Sequence, residues 1–390
     1  MWLHSRGCPA AVSAAVVGVV LVVAGCTQGP AARAGTGTSN QPVAASTTCT
    51  NARVVSGWSV RRQARQTIVV PVQETDVAAV EAEVAAGVGG VILFGNKAPT
   101  DLGVQLKALT GQALGGIAPM VMTDEEGGAV QRMANLVGSM PSARTMAATM
   151  TASEVRQLAR RVGTRMREAG VTVDLAPVLD LDNGVGPNAT DPDGTRSFSL
   201  SSATTTHYGL AFARGLLDAG VVPVVKHFPG LGQATANTDV APAWTQPWSV
   251  LQQHGLLPFT AAVGAGMPAV MTTNARVPGL APLPASLSWR ATHEVLRLRL
   301  AFHGLVITDS LSAVAIQAAG FHIPAATVRA LVVGADMVLF GATADQVADV
   351  TTRIVRAVVN AVDSGTLTRT RLRDAVVHVL GAKHVDLCSG

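Results

Sequence analysis

Lys226 and His227 close an apolar, mostly β-branched run, residues 221–225, and are followed by a loop held by Pro229, Gly230 and Gly232. A cation and an imidazole where a buried strand meets solvent are costly to desolvate, and loops at such places carry function. A salt-bridged strand end is the plain alternative for one isolated pair. This pair is not isolated. Other apolar runs end in Thr123-Asp124-Glu125-Glu126-Gly127-Gly128, with Gln131 and Arg132 close behind, in Asp180-Leu181-Asp182, in Thr272-Thr273-Asn274 and in Thr308-Asp309-Ser310. A single acidic strand end is commonly a helix cap or an ion pair, but the same placement at several ends is not explained that way. Carboxylates with Arg and Lys donors suit a hydroxylated ligand such as a sugar. No Cys/His pair has zinc spacing and there is no HExxH or phosphate loop, so no metal and no nucleotide cofactor is expected. The net charge of +4 is modest and the Arg residues are scattered, which gives no support for a nucleic-acid partner.

These groups must be positioned by the elements they terminate. Strand-length apolar runs occupy residues 67–72, 88–94, 118–122, 171–177, 221–225, 269–272, 305–307 and 335–340. Five are preceded by a small-residue stop: Ala86-Gly87, Ala169-Gly170, Ala219-Gly220, Ala265-Gly266 and Gly334-Ala335. Gly there accepts the left-handed backbone of a helix C-cap. Helical patterns lie between the runs. Thr151 and Glu154 form a capping-box pattern ahead of Val155, Leu158, Val162 and Met166, and Val77, Val80 and Val84 repeat along residues 76–86. Eight strand–helix units predict an α/β fold, a single (β/α)8 TIM-type barrel. An open doubly wound sheet is the competing architecture, but no Gly-rich dinucleotide fingerprint follows the first strand. In a barrel the polar strand ends gather at one mouth.

The N-terminus stands apart. His4 and Arg6 precede an apolar run from Pro9 to Ala24 and small residues before Cys26, the pattern of a secretory signal and too short for a membrane-spanning helix. Residues 21–26 also resemble the bacterial lipobox, so residues 1–25 are expected to be a lipoprotein signal peptide with Cys26 acylated. Ordinary cleavage to a soluble secreted protein is the other reading. The protein is expected to be exported and held on the outer face of the cell membrane through this lipid alone. Residues 26–48, rich in Gly, Ala, Ser, Thr and Pro, are expected to be a flexible tether, and residues 49–390 the barrel. Cys49 and Cys388 sit at the two ends of the folded part, where barrel termini approach each other, and are expected to be bridged in an oxidising compartment. Two free thiols on frayed ends are the alternative.

Asp124-Glu125-Glu126-Gly127-Gly128-Ala129-Val130-Gln131-Arg132, Lys226-His227-Phe228-Pro229-Gly230 and Ile307-Thr308-Asp309-Ser310-Leu311 together resemble the family 3 glycoside hydrolases, specifically the NagZ-type β-N-acetylhexosaminidases. Thr195-Arg196-Ser197-Phe198 and Ala285-Ser286-Leu287-Ser288 extend the resemblance, which covers essentially the whole chain after the tether. It implies retaining hydrolysis of terminal β-linked N-acetylglucosamine in peptidoglycan fragments or related glycosides. Asp124, Arg132, Arg196, Lys226 and His227 would hold the sugar, and Asp309 would be the nucleophile. The departure is in the proton shuttle. Where the family carries Asp-Ser-His, this chain has Asn237-Thr238-Asp239, and Leu231 replaces another loop His. Two functions follow: an enzyme in which Asp239, or else Glu125 or Glu126, supplies the proton, and a catalytically weak or inactive barrel that binds amino-sugar wall fragments. Trp244 and Trp248 lie just beyond the loop, as sugar-stacking or loop-packing residues.

Overall fold

The computed structural model describes residues 49–389; the expected signal segment, Cys26 and the tether lie outside the described residues. The strands in chain order are β1 (Ile68–Gln73), β2 (Gly90–Phe94), β3 (Met120–Thr123), β4 (Glu125–Gly127), β5 (Val130–Gln131), β6 (Val173–Asp174), β7 (Val222–Phe228), β8 (Ala269–Thr272), β9 (Leu305–Thr308) and β10 (Val338–Leu339). All but β4 and β5 join one parallel sheet, each strand beside its predecessor and β10 beside β1. The seam between β9 and β10 closes through the parallel Ile307–Met337 bridge. The sheet is therefore a (β/α)8 barrel and not an open doubly wound layer. β4 and β5 form a small antiparallel hairpin on the mouth, directly after β3.

Side-chain alternation divides the strands between two cores, as the pleat requires. Val69, Ile92, Met122, Val224, Met271 and Ile307 fill the barrel interior. Their neighbours Val70, Val91, Val121, Val225, Val270 and Val306 pack outward against helices. Strands buried on both faces explain why the sequence shows apolar runs without a polar period.

Helix termini follow local chemistry. Gly87, Gly170, Gly220, Gly266 and Gly334 have φ of 90°, 85°, 74°, 72° and 118°, the left-handed backbone that lets each helix end turn into the next strand. Thr151 and Glu154 complete a capping box on helix Ala152–Glu168, whose Val155, Val162 and Met166 are buried while Leu158 is half-buried. Over residues 76–86 the valines are buried as the spacing predicts, but the first turn, Val77–Val80, is a 3₁₀ segment ahead of helix Glu81–Ala85.

Two strand bounds differ from the sequence reading in ways that matter for the mouth. β7 continues through Lys226 and His227 to Phe228, because ion pairs compensate the buried lysine and Phe228 still pairs with Thr272. β6 is shorter than residues 171–177, and the chain beyond it keeps only isolated contacts with β7, such as the Val178–Lys226 bridge. Pro177 has no N–H for a regular ladder.

Helices Ala344–Asp363 and Arg369–Ala382 end the barrel. Val376 and Leu380 of the second pack on Val55 and Trp58 near the start of the described chain. Asn51 reinforces this contact, donating to the Val385 carbonyl at 2.7 Å and accepting from the Leu387 amide at 2.8 Å. Cys49 and Cys388 are joined by a disulfide with Cα atoms 5.8 Å apart. Among the described residues no helix is long and apolar enough to cross a membrane.

Candidate active site

The strand ends β2, β3, β7, β8, β9 and β10 surround a cavity of about 270 Å³. This is below the ~300–1,000 Å³ of drug-sized ligand sites and suits a single small ring. Asp124, Arg132, Arg196, Lys226, His227, Asp239 and Asp309 all line it, as do Glu126, Leu231, Asn237 and Thr238. The five residues expected to hold the sugar are thus brought to one place with Asp309 and Asp239.

Its polar floor is an ion network. The β4–β5 hairpin turns at Gly127 and Gly128, with φ of 93° and 61°, and carries Arg132 back over Asp124 at 3.6 Å. Lys226 Nζ lies 2.7 Å from Asp124 and 2.6 Å from Glu126. Arg196 donates Nε and Nη2 to the two oxygens of Glu126, each at 2.8 Å. Burial pushes Asp124 up, but Lys226 and Arg132 bring it below the usual carboxylate range, and Arg196 and Lys226 do the same to buried Glu126. Lys226 is lowered by burial and raised further by Asp124 and Glu126, so it stays charged. Asp124, Glu126 and Lys226 are ionised, and Lys226 and Arg196 are each fixed by two partners.

His227 is held differently. Its Nδ1 lies 2.6 Å from Asp180 Oδ2, and Asp180 also accepts from the backbone amides of His227 and Leu231. Burial pushes Asp180 up to about 7 against those amides, while burial and the Arg196 charge hold His227 down to about 4. The imidazole is neutral at pH 7, sharing one proton with Asp180. Asp180 and Asp182 therefore do not line the cavity. They tie the ends of β6 and β7 together, Asp182 through the Gln233 amide at 2.8 Å.

Asp309 follows β9, and its Oδ1 accepts from the Ser310 amide at 2.7 Å. Behind it Ser286 donates to Asn274 Oδ1, and Asn274 donates to the Ser310 carbonyl, both at 2.7 Å. The polar end of β8 is thus a brace for the Asp309 turn. Burial raises Asp309, and the charge of Asp239 raises it further. Asp239 sits at the solvent side of the cavity, yet crowding by protein atoms raises it too, against Arg196 and with help from Asp124. Asn237 Oδ1 accepts from the Asp239 amide at 2.9 Å, and the Thr238 carbonyl accepts from Ala315 at 3.0 Å. The loop carrying Asp239 is therefore docked on the segment that follows Asp309.

Two expectations are corrected. Glu125 cannot serve the pocket: it is fully buried away from the cavity, where it accepts from the Met133 amide. Glu126 lines the cavity but is committed to Arg196 and Lys226 and remains ionised, so it has no proton to give. For Trp244 and Trp248 the loop-packing reading holds: both are outside the cavity lining and pack near Arg276 and Arg299, at 6.0 and 5.9 Å from the ring centroids. One supporting residue escaped the sequence reading altogether. Arg144 donates to the carbonyls of Asp182, Gly184 and Gly194 at 2.8, 3.2 and 2.7 Å and so clamps the segment that carries Arg196.

A closed (β/α)8 barrel whose carboxyl-terminal mouth gathers carboxylates, a buried lysine and a doubly bonded arginine has the layout of a barrel glycosidase. The glycosyl hydrolase family 3 N terminal domain matches residues 59–382, and the chain belongs to glycoside hydrolase family 3. It is 37% identical over 338 residues to the beta-hexosaminidase LpqI of Mycobacterium tuberculosis, covering 83% of each chain. A glycosyl hydrolase of the same family from Mycobacterium smegmatis superposes with a TM-score of 0.75 at 36% identity, over 84% of this chain and 98% of that one. The beta-N-acetylhexosaminidase of Beutenbergia cavernae gives 0.76 at 29% identity, over 84% and 99%.

Proposed function

We propose that this family 3 glycosidase removes terminal β-linked N-acetylglucosamine or a related N-acetylhexosamine from cell-wall fragments or similar glycosides, with retention. The observation that carries the reading is the placement of Asp309 and Asp239 on one small cavity whose other polar walls are already committed to ion pairs. The names of the beta-hexosaminidase relatives support the choice of sugar.

Asp124, Arg132, Arg196, Lys226 and His227 hold the non-reducing sugar through their hydroxyl-directed donors and acceptors. Asp309, ionised, attacks the anomeric carbon as the glycosidic C–O bond breaks, and Asp239 passes its proton to the departing oxygen. Water then attacks the same carbon, giving a proton to Asp239 as the bond to Asp309 breaks. The raised pKa of Asp239 suits the acid role, since a carboxyl must keep its proton near neutral pH to donate it. Its solvent exposure, compared with buried Asp180 or Glu126, supports a second reading of weak turnover with retained sugar binding.

Asp309→Asn, with the fold checked by circular dichroism, tests the assignment. Turnover of an aryl N-acetylglucosaminide should fall by ~10²–10³-fold or more, the scale of losing one aligned electrostatic partner of the transition state. A mechanism-based fluorosugar should label Asp309 in the wild type. Labelling of Asp124 or Asp180 instead would overturn it, and binding of N-acetylglucosamine without any turnover would favour the second reading.

Cys26 is proposed as the acylated first residue of an exported, membrane-tethered form, on the lipobox resemblance of residues 21–26. Unchanged lipid labelling of Cys26→Ala would reject it.

A further inference from the structure

Behind the sugar-holding floor lies a second cluster, in which only His227 has a task in the proposed hydrolysis. Asp180, Asp193 and His227 each offer a ligand atom within 4.8 Å of the other two, and all three are buried. Asp193 is 0% exposed, and neither of its carboxylate oxygens has a hydrogen-bond partner. Burying a carboxylate in that state is strongly unfavourable unless something compensates it.

The compensation does not come from the neighbouring cations. Arg196 is the only cation within salt-bridge range of Asp193 among the described residues. Its Nη1 is 3.8 Å away and already donates to the Pro192 carbonyl at 2.8 Å, while Nε and Nη2 are taken by Glu126. Lys226 is taken by Asp124 and Glu126. Asp182 satisfies its oxygens with the Gly184 and Gln233 amides and brings no positive charge. The region behind the floor therefore holds more buried acid groups than buried cations, and burial with the nearby Asp180 pushes Asp193 well above the usual carboxylate range.

We infer that Asp180, Asp193 and His227 form a site for one divalent transition-metal cation, with Zn²⁺ the best match to two carboxylate oxygens and one imidazole nitrogen. Tetrahedral ligands at ~2.0–2.2 Å from one zinc lie ~3.3–3.6 Å from each other, so the cage closes around the ion once the side chains shift by about an ångström. The 2.6 Å contact between His227 Nδ1 and Asp180 Oδ2 places two of the ligands side by side already. On binding, the proton shared by Asp180 and His227 is displaced to solvent and the ion takes its place. The donor set escaped a search by spacing because its members come from three separate segments. The ion would pin the segment before Arg196 to the end of β7, and so fix two sugar-holding residues from behind, without entering the chemical step.

The test is metal uptake by the full-length protein as purified and after chelation. Equilibrium dialysis against Zn²⁺ should give one ion per chain for the wild type. Asp193→Asn, which keeps shape, should weaken binding by at least the ~10–100-fold that loss of even an outer-shell partner brings. Zn²⁺ should raise the Tm of the wild type and leave that of Asp193→Asn unmoved. Should the variant fail to fold, the wild type alone decides: Co²⁺ substituted for Zn²⁺ should give visible d–d bands that one equivalent of Zn²⁺ abolishes. Equal Zn²⁺ uptake by a folded Asp193→Asn, or no uptake and no Co²⁺ bands in a folded wild type, overturns the site.

Discussion

Glu126 accepts both Arg196 Nε and Nη2 at 2.8 Å, the two-pronged geometry in which an arginine is fixed in plane as well as in position. Lys226 reaches the same carboxylate at 2.6 Å. One glutamate therefore sets the direction of the two cations proposed to hold the sugar.

Glu126→Gln should break this arrangement while keeping its shape. Buried Arg196 loses its bidentate charge partner and Lys226 one of its two, and breaking a buried pair of this kind costs ~3–5 kcal/mol. The expected signature is a lowered Tm together with a raised KM. Added azide should not restore turnover, because no proton donor has been removed. Azide rescue of Glu126→Gln would return this residue to the list of acids.

Asp239→Ala should cut hydrolysis of a natural disaccharide by ~10²–10⁴-fold, the worth of a general acid, and affect a nitrophenyl glycoside much less. The sign of the pH dependence follows from the protonation states. Asp239 must be protonated and Asp309 ionised, so kcat/KM should fall as pH rises through the raised pKa of Asp239 and as it drops through the raised pKa of Asp309. Replacing Asn237-Thr238-Asp239 with Asp-Ser-His should raise disaccharide turnover more than aryl glycoside turnover. Unchanged disaccharide hydrolysis in Asp239→Ala removes Asp239 from the mechanism.

Asp336 governs stability at the other end of the barrel. It lies just before β10, fully buried, bonded to Arg297, to Arg371 at 2.6 Å and to His378 at 2.9 Å. Burial pushes it up, but Arg297 and the others hold it well below the usual carboxylate range. Its folded value lies under the unfolded ~3.9, so its stabilisation is complete above that pH and is lost as acid titrates it toward the folded value. Asp336→Asn should destabilise by ~3–5 kcal/mol at pH 7 and by much less near pH 2, read from urea unfolding at both. An equal loss at both pH values would mean that packing, not charge, is what Asp336 supplies.

The parts of the molecule legible in the sequence are those written locally. The helix-ending glycines before five strands, the capping box at Thr151 and the doubly buried valine runs announce the barrel because each signal spans a few residues. The polar strand ends announce the mouth for the same reason. What stayed hidden joins distant segments. Asp180 meets His227 across 47 positions, Arg144 meets Gly194 across 50, and Asn274 meets Ser310 across 36. No spacing rule links such partners, so the supporting residues behind the site appear only once the barrel closes. The fate of Glu126 shows the same limit. Its type fits a proton donor, and only the arrival of Arg196 from 70 positions away withdraws it.

The bond between Cys49 and Cys388 makes the polypeptide between them a covalent ring. A ring can be cut once without coming apart. A protease that nicks any one exposed loop between the two cysteines leaves both pieces covalently joined, with the mouth still assembled. Only a second cut, or reduction, would let part of the barrel drift away.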